Sequence, residues 1–165
     1  FDRLQDPGNL GILFRTALAG EVDTIWLALG ADPLIQKVIR SSSGAILHLP
    51  YERMGSSENE AIDDLAERLR LASYSGFQVV ATLVPSPLID RPLIPYWEID
   101  WREPTVLVLG NEGSGLHPII QACCTHEITL PHGSAVQSLN VAAAAVPLLL
   151  ERRRATMTSE ILQRL

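Results

Sequence analysis

Several residue types and patterns are scarce in this sequence, and each shortage excludes a class of protein. Cysteine occurs twice, as the neighbours Cys123 and Cys124. Adjacent cysteines rarely form a disulfide, so we expect a chain without disulfides, as is usual in the cytoplasm. No apolar run approaches the roughly 18 residues of a membrane-spanning helix. The composition therefore predicts a soluble, cytoplasmic protein that does not act at a membrane.

Basic residues are also scarce, and Lys37 is the only lysine among them. Thirteen Lys and Arg residues against nineteen Asp and Glu give a formal net charge of −6. An acidic balance argues against a nucleic-acid partner, because such proteins usually carry a basic surface. Arginine nevertheless has a planar guanidinium that suits phosphate, and a local cluster can act within an acidic chain. The charge lowers the expectation of an RNA or DNA partner without excluding it.

A metal site has little support. Cys123, Cys124, His126 and His132 are the candidate zinc ligands. Their spacing matches no common zinc pattern, so buried thiols are the favoured interpretation. We expect no metal.

What the sequence does contain is an alternation of apolar strands and amphipathic helices. The 165 residues, of which 47% are hydrophobic, suffice for one domain with a substantial core. Near-continuous apolar strands between helices predict an α/β fold with a mostly parallel sheet and helices on both faces. The predicted helices cover residues 9–19, 34–40, 57–72, 117–124 and 138–154. The predicted strands cover residues 24–29, 45–49, 77–84, 105–109 and 127–130, with a long irregular connection at 85–104.

The last predicted helix contains Pro147, which lacks a backbone donor and disturbs the preceding turn. Apolar residues on both sides of this proline predict one kinked helix rather than two. We expect its apolar faces to be buried.

Three segments of unusual composition fall where ligands bind in α/β proteins, at the carboxyl ends of strands. They are residues 6–15, 110–116 and 130–140. The glycines of the second segment follow G-x-x-G-x-G, which is neither the dinucleotide fingerprint nor a P-loop. A tight turn that needs glycine is one interpretation. Glu112, a carboxylate inside that turn, favours a binding site instead. No G-x-S-x-G elbow is present, so serine hydrolases are excluded.

These segments resemble the signature motifs of the SpoU-type (TrmH-like) RNA 2′-O-ribose methyltransferases of the SPOUT superfamily. The N-x-G-x-x-x-R-T-A motif is present at 9–17, and L-G-N-E-G-x-G-L is present at 109–116. The I-x-L-P and S-L-N-V parts of the third motif are present at 128–131 and 138–141. The motifs occur in the family's order, and the resemblance covers nearly the whole chain.

The resemblance implies S-adenosylmethionine as methyl donor, tRNA or rRNA as substrate, a homodimer, and a deep C-terminal trefoil knot. With a homodimer and RNA implied, we expect the apolar faces of the helix that contains Pro147 to lie in the core and in the homodimer interface. The three arginines at 152–154 are expected to face solvent or RNA. Residues 1–165 would then be the catalytic domain, and we expect an N-terminal RNA-binding domain to be missing from this chain. The catalytic and substrate positions that the resemblance implies are Asn9, Arg15, Glu112, Ser138 and Asn140. The cofactor positions that it implies are Leu83, Gly110, Asn111, Gly113, Gly115, Ile128, Leu130, Ser138 and Leu139.

The mechanism that we expect gives Arg15 an electrostatic role. The resemblance points to Arg15 as the group that activates the ribose hydroxyl, but arginine is almost never neutral near pH 7. We therefore expect Arg15 to hold a phosphate and to stabilise the developing alkoxide. Glu112 would orient Arg15 or the substrate, and Ser138 and Asn140 would fix the ribose or base.

Other interpretations are a SPOUT-fold module that binds RNA or S-adenosylmethionine without activity, and a SPOUT enzyme that modifies a base. The intact candidate residues argue against the first. The N-x-G-x-x-x-R motif argues against the second. Ser138 and Asn140 are also ordinary residue types for the start of a helix.

Overall fold

The computed structural model describes residues 1–85, 92–111, 113–133 and 135–163, with the backbone alone for 158–163. In this part of the chain the α-helices are α1 (Pro7–Ala19), α2 (Gln36–Ser41), α3 (Glu58–Tyr74), α4 (Pro118–Gln121) and α5 (Val141–Gln163). All the predicted helices are present, with shifted ends. No helix among the described residues combines the length and the apolar content needed to cross a bilayer.

The strands pair in parallel throughout the described residues. They are β1 (Ile25–Leu27), β2 (Tyr51–Arg53), β3 (Gln78–Thr82), β4 (Ile94–Pro95), β5 (Thr105–Val108) and β6 (His126–Thr129). β1 pairs with β2, and the remaining strands form a sheet in the order β4-β6-β3-β5. The prediction of an α/β fold with a parallel sheet is therefore confirmed.

The predicted strand at 45–49 is wrong, because Ala45–Leu47 forms one turn of 3-10 helix. Ser43 and Gly44 precede it with φ angles of 50° and 83°, and this left-handed backbone turns the chain out of an extended path. The strand of this region is β2, which the sequence analysis missed. Its residues are half-buried or exposed, so no buried apolar run marks it.

The predicted irregular connection at 85–104 contains a short strand, β4, and a 3-10 turn at Tyr96–Glu98. Trp101 is buried there, and its indole N–H donates to the Tyr96 carbonyl at 2.7 Å. This tryptophan joins the core that α1 and α5 cover. Residues 86–91 of the predicted connection lie outside the described part of the chain.

The segment of residues 1–4, here called the leading segment, lies between the two sheets. The Phe1 carbonyl accepts from the Ala28 N–H at 3.0 Å, just beyond β1. The Asp2 N–H donates to the Leu109 carbonyl at 2.9 Å, just beyond β5. The leading segment therefore connects β1 to β5 and runs directly into α1.

Helices cover both faces of the larger sheet, as predicted. Val80 belongs to a cluster with residues of α1 and α5, whereas its neighbours Val79 and Ala81 belong to a cluster with residues of α3 and α4. This division follows from the alternation of side chains along a strand.

α5 runs through Pro147 as one helix, which confirms that part of the prediction. Its Ala142, Ala145, Leu148 and Leu149 side chains are buried in the core. Leu150 is 47% exposed, so the apolar surface of α5 extends beyond the core of one chain. The kink stays a prediction.

Two of the arginines that follow, Arg153 and Arg154, have ionic partners within the chain. Arg153 pairs with Glu21 at 2.7 Å, and Arg154 pairs with Glu151 at 2.6 Å. Arg153 is half-buried and Arg154 is exposed. Of these two side chains, Arg154 is the one that faces solvent as expected.

Candidate active site

The predicted site segments gather at one edge of the larger sheet. The glycine loop (residues 110–116) follows β5, and the segment 130–140 follows β6. β3 lies between β5 and β6 and ends just before Leu83. Because parallel strands end at the same edge, these positions are brought together although they are far apart in sequence.

The backbone of the glycine loop is closed by Asn111 and Gly115, whose N–H groups donate to each other's carbonyls at 3.0 Å. The Asn111 Oδ1 accepts from the N–H groups of Gly113 at 2.8 Å and Ser114 at 3.1 Å. Asn111 therefore builds the turn from within. Glu112, which we expected to act in catalysis, lies outside the described residues.

Two glycines of this loop are required by geometry. A Cβ on Gly110 would lie 2.6 Å from the carbonyl carbon of Gly115, closer than real Cβ contacts allow. Gly115 has a φ of +68°, which disfavours other residues. The interpretation of the glycine spacing as a tight turn is thus correct for these two glycines. Because glycine has no side chain, the loop presents bare backbone at these positions.

Asn140 joins the first and third motifs, because its Nδ2 donates to the Asn9 Oδ1 at 3.0 Å. The Asn140 Oδ1 accepts from the N–H groups of Ala142 at 3.0 Å and Ala143 at 3.2 Å. Asn140, and not Ser138, therefore caps α5. One side chain serves both the helix start and the candidate site.

Asn9 is placed by the start of α1. Asp6 caps this helix, and its Oδ1 accepts from the Asn9 N–H at 2.7 Å. This hydrogen bond keeps the pKa of the Asp6 carboxyl below its usual value, with a further contribution from Lys37. The cap fixes the turn of helix from which the Asn9 side chain reaches Asn140.

Arg15 lies farther along α1 and is exposed. Its Nη1 donates to the Ser43 Oγ at 3.3 Å, in the left-handed turn after α2. Gly11 permits this arrangement, since a Cβ there would lie 1.9 Å from the Ser41 Oγ and 2.7 Å from the Val38 carbonyl oxygen. The first motif thus combines a packing glycine with a cation at the surface.

The strand ends supply apolar walls and unused hydrogen-bonding groups. The Leu83 N–H donates to the Ile128 carbonyl at 2.8 Å, and Ile128 is buried. The hydroxyls of Thr82 and Thr129, at the ends of β3 and β6, are buried without a hydrogen-bond partner among the described residues. A buried hydroxyl without a partner is costly, which makes these two groups candidates for contact with a bound molecule.

Other predicted cofactor positions differ in exposure. Leu130 is buried, and its carbonyl lies 2.8 Å from the His132 Nδ1. Ser138 and Leu139 are exposed in the segment before α5.

A separate cavity of about 670 Å³ lies beside β1 and β5 and extends along β5 from Thr105 to Leu109. Its lining is mainly apolar and includes Trp26, Leu69, Trp101 and Leu107. It contains none of the predicted site residues, so its size does not make it the candidate active site.

The adjacent cysteines Cys123 and Cys124 follow α4 and are half-buried free thiols. Burial raises the pKa of the Cys124 thiol to about 12, with smaller contributions from Cys123 and Glu127. A thiol with this pKa stays protonated near neutral pH in the absence of a bound metal ion. Within the described ranges, no three His, Cys, Asp or Glu side chains are close enough to hold a metal ion.

The double role of Asn140 generates a prediction. Asn140→Ala removes the helix cap and the contact with Asn9, so we expect it to lower the free energy of unfolding by about 1 kcal/mol. Asn140→Ser keeps a capping oxygen but is too short to reach Asn9, so its stability should stay within a few tenths of a kcal/mol. Urea unfolding of both variants measures the difference. Equal stability of the two variants would contradict the capping role.

The chain matches the model of the SpoU rRNA methylase family over residues 1–149. It is 40% identical to an uncharacterized tRNA/rRNA methyltransferase of Synechocystis, over 93% of this chain and 51% of that protein. It is 33% identical to the 23S rRNA guanosine 2′-O-methyltransferase RlmP of Bacillus subtilis, over 92% of this chain and 56% of that protein.

Among solved structures, the SpoU methyltransferase AviRb from Streptomyces viridochromogenes, in complex with the cofactor AdoMet, has a TM-score of 0.79 and 30% identity. The match covers 96% of this chain and 59% of that one. The chain thus spans about half the length of the curated relatives it matches. The family model and the relatives agree, and the chain belongs to the SpoU rRNA methylase family.

Proposed function

We propose that this chain transfers a methyl group from S-adenosylmethionine to a ribose 2′-hydroxyl of RNA. The observation that carries the proposal is the contact of Asn140 with Asn9 at 3.0 Å, which joins the first and third motifs. It lies at the sheet edge from which the glycine loop also leaves. Membership of the SpoU rRNA methylase family supports RNA, either tRNA or rRNA, as the substrate class.

The sheet edge fits S-adenosylmethionine. A nucleoside needs an apolar wall for its base and backbone or hydroxyl groups for its polar edge. The half-buried Leu83 and the exposed Leu139 offer apolar contacts, and Gly110 leaves the backbone open. The Thr82 and Thr129 hydroxyls at the same strand ends lack a hydrogen-bond partner among the described residues. The residues proposed to hold the cofactor are Leu83, Gly110, Asn111, Gly113, Gly115, Ile128, Leu130, Ser138 and Leu139. The bound cofactor supplies a methyl group that its sulfonium activates.

The protein's own contribution is to orient the ribose and to stabilise charge. Arg15 is an exposed cation in a chain with a formal net charge of −6, so it can bind an RNA phosphate directly. Its guanidinium charge stabilises the negative charge that develops on the 2′-oxygen. Asn9, Asn140 and Ser138 bind the ribose or base by hydrogen bonds, and Glu112 orients Arg15 or the substrate.

The proposed assembly is a homodimer. The helices α1 and α5 pack together, and large apolar side chains on both remain exposed, namely Ile12, Leu18, Val146 and Leu150. A second copy that covers this surface would bury them. Residues 1–165 would then act as a dimeric catalytic domain with a C-terminal trefoil knot.

Cofactor binding is the first test of this proposal. S-adenosylhomocysteine, the demethylated product, should bind the full chain without RNA or added metal. At a hundredfold excess over the dissociation constant it should add about 2.7 kcal/mol to the stability of the fold. Thermal unfolding with and without the ligand measures the shift. An unchanged unfolding temperature at saturating ligand would contradict the proposal.

Substitution of Arg15 separates chemistry from cofactor binding. Arg15→Ala should reduce turnover roughly 100-fold, since it removes a preorganised charge, and should leave affinity for S-adenosylhomocysteine unchanged. Arg15→Lys should recover turnover only in part, because a point charge does not replace a bidentate group. Arg70→Ala, in an exposed position of α3, is the matched control and should behave as wild type. Near-normal turnover of Arg15→Ala would remove Arg15 from the mechanism.

A further inference from the structure

We propose that Asp2 is a positioning residue that holds the glycine loop in the geometry required for cofactor binding. The inference rests on the proposed function, because the loop is assigned there to the cofactor. Asp2 belongs to none of the three motifs, and the sequence analysis did not single it out. Its contacts with both ends of the loop carry the inference.

Asp2 is completely buried, with 0% of its surface exposed. Its N–H donates to the Leu109 carbonyl at 2.9 Å, immediately before the loop. Its Oδ2 accepts from the His117 N–H at 2.6 Å, immediately after the loop. One residue therefore fixes the distance between the two points at which the loop leaves and rejoins the rest of the fold.

The next residue holds the interior of the same loop. The Arg3 carbonyl accepts from the Asn111 Nδ2 at 2.9 Å. Arg3 has a φ of 54°, an uncommon backbone conformation for an arginine. The Arg3 Nε donates to the Asp2 Oδ1 at 2.9 Å, so the ion pair with Asp2 restrains this conformation. Asp2 thus supports the Asn111 contact indirectly through Arg3.

The carboxylate is not needed to hold the leading segment itself. Backbone hydrogen bonds already attach this segment to the chain beyond β1, from Ala28 to Phe1 at 3.0 Å and from Ala31 to Leu4 at 2.7 Å. A buried carboxylate is costly unless it is paired and hydrogen-bonded. The groups that satisfy this carboxylate are the Arg3 side chain and the N–H that follows the glycine loop. One carboxylate oxygen, Oδ2, is therefore directed at the end of the loop, and the other holds Arg3.

Asp2→Asn tests the proposal in the full chain. Both carboxylate oxygens accept hydrogen bonds, and an amide offers a single oxygen, so one N–H donor would face the Asn NH₂ group. We expect the dissociation constant for S-adenosylhomocysteine, measured by calorimetry, to rise at least tenfold, the scale of one lost hydrogen bond to a charged group. Amide hydrogen exchange at 113–117 should accelerate, while exchange in α3 should stay unchanged.

Two controls distinguish positioning from general destabilisation. Glu58→Gln removes the other ionic partner of Arg3, which lies 3.3 Å away, without touching the loop. Ile62→Val trims the buried face of α3 and lowers stability far from the loop. Both variants should bind S-adenosylhomocysteine within twofold of wild type.

His117→Pro provides a second variant that keeps Asp2 intact. It deletes the His117 N–H, which donates to the Asp2 Oδ2 in the wild-type chain. The φ of −64° at His117 already suits proline. We expect the same loss of affinity as in Asp2→Asn. Affinity within twofold of wild type in both variants would overturn the proposal, as would an equal loss in Ile62→Val.

The wild-type measurement separates this proposal from the proposed function. If the wild-type chain fails to bind S-adenosylhomocysteine, the proposed function fails. Hydrogen exchange at 113–117 then still decides whether Asp2 positions the loop. If wild type binds and Asp2→Asn binds equally well, the present inference alone fails.

Discussion

The parallel pairing of β3 with β5 and β6 is the constraint on which the candidate site depends. Leu83, Gly110 and Leu130 follow the ends of these three strands, so they reach one edge of the sheet although 47 residues separate the first from the last. An antiparallel neighbour would send one of these positions to the opposite edge. The placement of the motifs is thus a consequence of strand direction.

The leading segment extends this constraint to the first motif. It lies between β1 and β5 and passes directly into α1, so Asn9 begins its helix at the same edge as the glycine loop. The Asn140 side chain then spans the remaining gap from the start of α5. Two helix starts and two strand-end loops therefore meet at one edge, where backbone N–H groups and short polar side chains are concentrated.

Several motif residues have structural duties in addition to any chemical role. Gly11 allows α1 and α2 to approach, Gly110 and Gly115 allow the glycine loop to close, and Asn140 caps α5. A substitution at any of these positions changes the shape of the site as well as its contacts. Arg15 differs, because its guanidinium is exposed and contacts only Ser43 among the hydrogen bonds described for it. Loss of turnover at Arg15 therefore reports on chemistry more directly than loss of turnover at Asn140.

The sequence was sufficient to predict the α/β class, the helices and most strands, because buried apolar runs and helix caps are local signals. It failed at residues 45–49, where the apolar composition of a strand is overridden by the left-handed backbone at Ser43 and Gly44. It missed β2, whose half-buried and exposed residues carry no apolar pattern.

The candidate site was less predictable than the fold. The motifs placed Asn9 and Asn140 in one site, and their contact agrees with that placement. Asp2 could not have been found in this way, since its importance comes from contacts with residues 109 and 117, more than 100 positions away. The unpartnered Thr82 and Thr129 hydroxyls are visible only once burial is known.

The most direct test of the account is the fate of an isotopically labelled methyl group. The full chain would be incubated with trideuteromethyl S-adenosylmethionine and unmodified tRNA and rRNA transcripts, and the nucleosides would be analysed by mass spectrometry after digestion. The account predicts a label on the ribose of one nucleoside, which is lost when Arg15 is replaced by alanine. A label on a base, or no label from a chain that binds the cofactor, would contradict it.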